Sequence, residues 1–264
     1  MFAEKKPVIL KILRHFLLTL ILFGSIAVSA QTVVTGRKIL LGETLHYKAK
    51  WGLMTIGSAT TKSDRKLYKF GQYSCCKIQL SGCTNGLASL FYLNDRWVSF
   101  IDVQSITTLR TYRSIREGKY SLDEYTLFDH PNKNAEVSVM NKQNKRFYLK
   151  KVYKTPQNIR DVVAGFMMIR LVDLSKYGKG DRFIIDGFYE DTGYKIDVIC
   201  EGKEYVNTDR GKMLCYKIKP IVPKNHVFDG IDAVDVWLST DKAQYIINIK
   251  AKLVLGNLFI ELQN

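Results

Sequence analysis

The sequence has few of the residues and none of the motifs that most enzyme classes require. Only four histidines occur in 264 residues, and none of them stands in an HExxH arrangement. A GxSxG elbow, a glycine-rich phosphate loop and an EF-hand loop are also absent. These absences argue against the common zinc protease, serine hydrolase, nucleotide-binding and calcium-binding classes. We therefore predict a protein that is not an enzyme, has no metal site and needs no cofactor.

Cysteine is scarce and odd in number. The five cysteines are Cys75, Cys76, Cys83, Cys200 and Cys215. An odd number leaves at least one thiol outside any intramolecular disulfide. No CxxC pair occurs and the spacing fits no zinc site, so the residues indicate small buried side chains and leave the disulfide pairing open.

Beyond residue 30 the chain lacks any apolar run long enough to span a membrane. The first thirty residues instead have the pattern of a cleavable export signal. A basic start containing Lys5, Lys6, Lys11 and Arg14 precedes an apolar run at residues 16–28, and small residues reach Ala30. We expect cleavage after Ala30 and a bacterial protein in the periplasm or outside the cell, with no transmembrane helix after cleavage.

Acidic residues are outnumbered by basic ones. The whole chain has a formal charge of +15, and removal of residues 1–30, whose net charge is +3, would leave +12. Outside the cytoplasm such a charge favours lipid head groups or acidic polysaccharide over nucleic acid as partners, and allows peripheral contact with a membrane. Since the lysines are scattered, solubility alone is the competing interpretation. The oligomeric state stays open.

Alternating apolar and polar residues dominate the chain after residue 30. Leu45, Tyr47 and Ala49 alternate with polar neighbours, and similar short runs recur between turns rich in glycine, asparagine and aspartate. This pattern predicts a mainly β protein whose curved antiparallel sheets form an open or incomplete barrel or sandwich. We expect residues 31–264 to form one domain, with possible halves at 31–154 and 178–264 joined by a helix.

One segment has helical spacing instead. Thr155 and Pro156 suit the N-cap and first position of a helix. From Ile159 the apolar residues recur at steps of three and four, and Gly178 offers a stop. The spacing predicts one central α-helix over about 156–174.

Several short sequence segments, in their order along the chain, resemble the exported bacterial family known as domain of unknown function 3108. They are residues 42–47 with Trp51 beyond them, Ile169 with Arg170, Gly180 with Asp181, and residues 236–241. The resemblance implies a secreted, mostly antiparallel β protein and brings no catalytic residue with it. The long basic stretch at 132–154 departs from the family pattern.

Arg170 is the one charge that the helical periodicity directs toward the core. At about 100° per residue it lies close to Ile159 on the apolar stripe. A guanidinium buried there must pair with a carboxylate, bond to backbone carbonyls, or face water or an anionic ligand. Asp173, three residues further on, is a candidate partner. Both an ion pair and an anion site remain open.

The aromatic residues and methionines permit a lipid-binding cavity. Candidate ligand contacts besides Arg170 are Trp51, Tyr92, Trp97, Met167, Met168 and Trp237. Ordinary core packing explains these side chains equally well. The leading hypothesis is a cell-envelope protein that binds a hydrophobic or amphiphilic ligand without catalysis. The alternatives are a structural or protein-interaction module of the envelope and a polysaccharide hydrolase with two facing acids.

Overall fold

The computed structural model describes residues 37–85, 92–189, 192–209, 211–221, 233–254 and 256–263. The predicted signal peptide at residues 1–30 lies outside these described residues. No helix within the described ranges is long and apolar enough to cross a membrane.

Fourteen strands form a single antiparallel sheet. Its spatial order is β8-β7-β6-β5-β4-β3-β2-β1-β14-β13-β12-β11-β10-β9, so nearly all neighbours are also consecutive in the chain. The two edge strands, β8 and β9, do not pair with each other, and the sheet is therefore not closed into a barrel. The prediction of a mainly β, open architecture is confirmed. The strands are β1 Thr44–Trp51, β2 Met54–Phe70, β3 Tyr73–Thr84, β4 Asn94–Asp102, β5 Thr108–Glu117, β6 Tyr120–Asp129, β7 Asn134–Met140, β8 Phe147–Lys154, β9 Arg182–Tyr189, β10 Thr192–Thr208, β11 Gly211–Pro220, β12 Val234–Ser239, β13 Ile246–Leu253 and β14 Gly256–Leu262.

The helix, α1, occupies Val162–Leu171 and is followed by one 3-10 turn at Leu174–Lys176. It begins later than predicted. Asp161, not Thr155, is the N-cap, and its carboxylate accepts a hydrogen bond from the Ala164 amide at 2.9 Å. The expected start at Pro156 was wrong because Ile159 and Arg160, just before Asp161, bond to strands of the sheet and not within a helical turn.

This short segment before α1 connects β5 and β9, which lie towards opposite ends of the sheet and do not pair with each other. The Ile159 carbonyl accepts from the Thr108 amide of β5 at 3.3 Å, and the Arg160 carbonyl accepts from the Phe188 amide of β9 at 2.7 Å. The rings of Phe128 and Phe188 also meet across the gap, with centroids 5.6 Å apart. The chain entering the helix thus bridges an opening that the strands leave unpaired.

The helix lies inside the curved sheet, as predicted. Eight of its ten residues are buried, and it packs most closely on β9, β4 and β3. Because it is apolar on nearly every side, it serves as the centre of the main core rather than as a lid on its surface.

The five cysteines are all free thiols. Four are buried, and burial raises the pKa of the Cys75 thiol to about 12 and that of Cys76 to about 11. Buried protonated thiols are poor nucleophiles. The interpretation of cysteine as a small core side chain is confirmed for Cys75, Cys76, Cys200 and Cys215, whereas Cys83 is half-buried.

Candidate functional site

An apolar cleft lies between α1 and the concave face of the sheet. Its volume is about 90 Å³ and its lining is almost entirely apolar. It is bounded by Tyr47 of β1, Ala59 and Thr61 of β2, Ile78, Leu80, Ser81 and Gly82 of β3, Val163, Phe166, Met167 and Arg170 of α1, Ile246 and Ile249 of β13, and Ile260 of β14.

Small residues on the sheet explain why this space is not filled. Ala59 and Gly82 stand directly opposite each other on β2 and β3. The only side-chain carbon that this pair directs toward the helix is the Ala59 methyl group, whereas two larger side chains would extend far enough to fill the space. The helix packs mainly on β9 and β4, and its Val163 and Met167 line the space beside this small pair. The cleft is therefore a consequence of residue size at two paired positions.

Arg170 stands at one end of the cleft and forms a bidentate ion pair through its two Nη atoms, while its buried Nε has no hydrogen-bond partner among the described residues. Its Nη1 and Nη2 donate to the two oxygens of Glu43 at 2.6 and 3.0 Å. The guanidinium also lies 5.2 Å from the centre of the Tyr245 ring. Pairing with Glu43 raises the pKa of Arg170 against the opposing effect of burial, so the charge is retained. The structure favours the ion pair over an anion site.

The partner is not the one that the sequence suggested. Asp173 bonds to the Ser175 hydroxyl at 2.6 Å and lies 3.9 Å from Arg37, away from Arg170. Glu43 is 127 residues from Arg170 along the chain, so no local spacing could have identified it. The only sequence signal was its place at the start of the first strand, in the stretch 42–47.

Of the seven predicted ligand contacts, the structure places two on the cleft. These are Arg170 and Met167. Trp97 and Met168 are buried elsewhere in the main core, and Trp51 packs against that core without reaching the cleft. Tyr92 is 49% exposed. Trp237 lies on the opposite face of the sheet, where its Nε1 donates to Glu204 at 2.6 Å.

The sequence analysis missed the aliphatic side chains of the cleft. Ile246 and Ile249 of β13 and Ile260 of β14 line the cleft and were not among the predicted ligand contacts. A signal was present, since two small residues, Ala59 and Gly82, occupy inward positions of otherwise ordinary strands. Their pairing becomes visible only once the register of β2 and β3 is known.

A second interior region, under β4 to β6, is polar. Arg113 on β5 and Glu124 on β6 are direct neighbours in register and form a bidentate ion pair at 2.8 and 3.1 Å. Next to them Asp95 and Glu117 are each only 1% exposed. Burial raises the pKa of Asp95 to about 6, while hydrogen bonds from the Arg116 amide and the Glu117 side chain oppose that rise. A proton is therefore held in this acid pair at mildly acidic pH.

The acid pair does not have the setting of a glycosidase site. Glycosidase carboxylates flank a substrate in an open cleft, whereas Asp95 and Glu117 are sealed from solvent. Across the ranges that the structure describes, no three histidine, cysteine, aspartate or glutamate side chains converge as a metal site would require.

Comparison with known proteins identifies a family. Residues 46–263 match the model of a protein of unknown function, DUF3108. No curated protein sequence matches the chain significantly. Among solved structures, a beta-barrel-like protein of domain of unknown function DUF1849 from Brucella abortus is similar, with a TM-score of 0.53 at 8% identity, over 84% of this chain and 95% of that chain. An exported-type protein with a YmcC-like fold from Bacteroides fragilis aligns with a TM-score of 0.33 at 10% identity, over 87% of this chain and 99% of that chain.

Proposed function

The chain belongs to the DUF3108 family of proteins of unknown function, and from the cleft we propose that it is an exported cell-envelope protein that binds the alkyl part of a hydrophobic or amphiphilic ligand. Export is supported by the N-terminal pattern of residues 1–30. Binding is supported by one observation above all, the apolar space that Ala59 and Gly82 leave beneath α1. No catalytic role is proposed.

The size of the cleft limits the ligand class. Engineered apolar cavities of about 150 Å³ bind benzene, and this cleft has about 90 Å³. It therefore suits a segment of a few carbons of one alkyl chain better than a ring system. Met167 lies on the lining, and its flexible thioether can change rotamer to admit a longer segment.

The chemistry of the lining supports an uncharged, apolar moiety inside the cleft. Burial raises the pKa of the Tyr47 phenol, which keeps that hydroxyl neutral. Arg170 is neutralised by Glu43 at hydrogen-bond distance. A free carboxylate head group entering here would have to displace Glu43 from Arg170, so we place the polar end of the ligand outside the cleft.

A pair of leucine substitutions on adjacent residues tests the proposal. Ala59→Leu adds three carbons inside the cleft, whereas Thr60→Leu introduces the same side chain on the opposite face of β2, where Thr60 contacts His46. We expect saturable fluorescence enhancement of cis-parinaric acid with the parent protein and with Thr60→Leu, and binding at least about tenfold weaker with Ala59→Leu. Because filling an apolar cavity removes a packing defect, Ala59→Leu should melt at the same temperature as the parent or higher.

Equal results for the parent, Ala59→Leu and Thr60→Leu would contradict the proposal. Equal binding by all of them would place the probe elsewhere, and absence of binding by the parent would remove the carrier role. A melting temperature lowered by Ala59→Leu would show instead that the side chain overpacks a closed core. Mass spectrometry of the exported protein, with its N-terminus at Gln31, tests the cleavage separately.

A further inference from the structure

The free edge of the sheet at β8 combines exposed basic residues with exposed large apolar side chains. From this we propose that the outer face of β5 to β8 docks on an anionic lipid bilayer. The inference is independent of the cleft, because none of the residues that carry it lines that space.

The first observation is a concentration of positive charge. Residues 142–154 contain Lys142, Lys145, Arg146, Lys150, Lys151 and Lys154, and no acidic residue. Residues 142–152 are all exposed. Basic residues near an anionic bilayer each contribute on the order of 1 kcal/mol to binding. This edge is thus electrostatically complementary to anionic head groups.

The second observation is that large apolar side chains are exposed among these charges. On β8, Phe147, Leu149 and Val152 are 42%, 56% and 44% exposed. The register places Phe147 opposite Met140, Leu149 opposite Ser138 and Val152 opposite Glu136. Because these three partners alternate along β7, all three apolar side chains project from one face of the sheet.

The apolar face continues onto the neighbouring strands. The Phe147 ring lies 6.2 Å from the ring of Tyr112 on β5 and 6.4 Å from that of Tyr125 on β6. The Arg96 guanidinium lies 5.9 Å from the Tyr112 ring. Aromatic rings bordered by cations are typical of protein surfaces at the level of lipid head groups.

Three acidic residues of this face need to be counted against the charge, namely Asp123, Asp129 and Glu136. Asp129 accepts hydrogen bonds from the backbone and side-chain amides of Asn132. Asp123 is neutralised by Arg116 at 2.7 Å and accepts from the Tyr112 hydroxyl at 2.8 Å. Glu136 stands opposite Val152. The remaining balance of this edge is positive, since six basic residues lie within the thirteen positions 142–154 and only Lys151, which stands opposite the inward-facing Val137, is placed by the register on the other face.

An acidic strand from another protein fits this edge less well than a bilayer. Addition of a strand requires close approach to the backbone of an edge strand, and lysines along that strand oppose such pairing. A bilayer needs no strand register. It accepts apolar side chains and cations at the same surface, which is the combination found here.

Vesicle sedimentation with the mature protein tests the docking surface. The vesicles are phosphatidylcholine alone, or phosphatidylcholine containing one third phosphatidylglycerol. The test variant carries Lys142→Gln, Lys145→Gln and Lys154→Gln. The matched control carries Lys195→Gln, Lys203→Gln and Lys212→Gln, three exposed lysines of β10 and β11 with the same total change in charge.

We expect the parent protein to bind only the anionic vesicles, and binding to weaken as salt increases. At about 1 kcal/mol per lysine the test variant should bind on the order of a hundredfold more weakly, and the control should change much less. Leu149→Ser, which keeps the charge, should also weaken binding.

Three results would overturn the proposal. They are equal losses in the test and control variants, which would indicate overall charge alone, no binding by the parent, and equal binding to neutral vesicles. Ala59→Leu is expected to bind vesicles as the parent does, so failure of the alkyl-binding proposal and failure of this one are distinguishable.

Discussion

The inner face of the sheet is used in two different ways along its length. Under β12 to β14 and β1 to β3 it is apolar and leaves the cleft beside α1. Under β4 to β6 it has buried charges, with Arg113, Glu124, Asp95 and Glu117 close together. The strand pairing is antiparallel throughout, so the backbone alone does not cause the difference.

The comparison shows which region of the inner face tolerates a cavity. In the polar region Arg113 and Glu124 pair across strands and Asp95 accepts from a backbone amide, so an unfilled gap there would leave charges without partners. In the apolar region a gap costs only lost packing contacts. We infer that a variable ligand is accommodated more readily on the apolar side.

Arg170 and Glu43 are the exception within the apolar region, and breaking their pair should have the largest effect. Glu43→Leu leaves the Arg170 guanidinium, 5% exposed, without its carboxylate. Removing one partner of a buried pair typically costs about 3–5 kcal/mol. We expect a loss of that order in the free energy of unfolding, measured by urea denaturation.

The double variant Glu43→Leu with Arg170→Met is the control for this prediction. Replacing both charges by apolar side chains of similar size is often neutral, so most of the lost stability should return. If the double variant is as unstable as Glu43→Leu, the cost lies in packing around residue 43 rather than in an unpaired charge.

Because the pKa of Asp95 is raised in the folded protein, the polar region should make the free energy of unfolding decrease as pH rises. Its pKa rises from 3.8 to about 6 on folding, so between these values the folded state holds a proton that the unfolded state releases. Stability from this group is therefore greatest at low pH and falls as pH rises through this window, by on the order of 3 kcal/mol in total. Glu117, Arg113, Arg116 and Glu124 are the charged groups around it.

Asp95→Asn isolates this contribution. The amide oxygen of asparagine can still accept from the Arg116 amide, which Asp95 engages at 2.9 Å, and it does not titrate. The free energy of unfolding of the variant relative to the parent should increase between pH 4 and about pH 6, as measured by urea denaturation at several pH values. A constant difference across this range would show that Asp95 titrates normally in the fold.

A smaller effect is expected where the polar region meets the helix. The Asp161 carboxylate accepts from the hydroxyls of Ser99 and Thr108 and from the Ala164 amide. Asp161→Ala leaves these three donors without their acceptor and should cost about 2 kcal/mol in thermal or urea unfolding. Thr155→Val, at the start that the sequence suggested, should cost less than half as much. The reverse order would place the functional cap at Thr155.

The sequence analysis succeeded where neighbours in the chain are neighbours in space. Alternation such as that of Leu45 and Tyr47 predicted inward faces correctly, because consecutive strands pair along almost the whole sheet. The helical spacing from Ile159 onward likewise located α1, which begins at Val162. Both signals depend on distances of only a few residues.

The same rules failed for contacts between distant segments. Glu43 and Arg170 meet across 127 residues, and the bonds that join β5, residues 159–160 and β9 depend on how far the sheet curves. Trp237 was placed with the ligand contacts because it is large and aromatic, but its strand turns it to the other face of the sheet. Residue type did not reveal which face it would occupy.

Residue periodicity by itself determined a β-rich chain with one inner helix, because the period of apolar side chains follows directly from backbone geometry. Only the tertiary structure decided that Ala59 would stand opposite Gly82 beneath that helix, that Glu43 would neutralise Arg170, and that β8 would remain a free edge. These outcomes depend on strand register and sheet curvature, which are set by the packing of the whole sheet around α1.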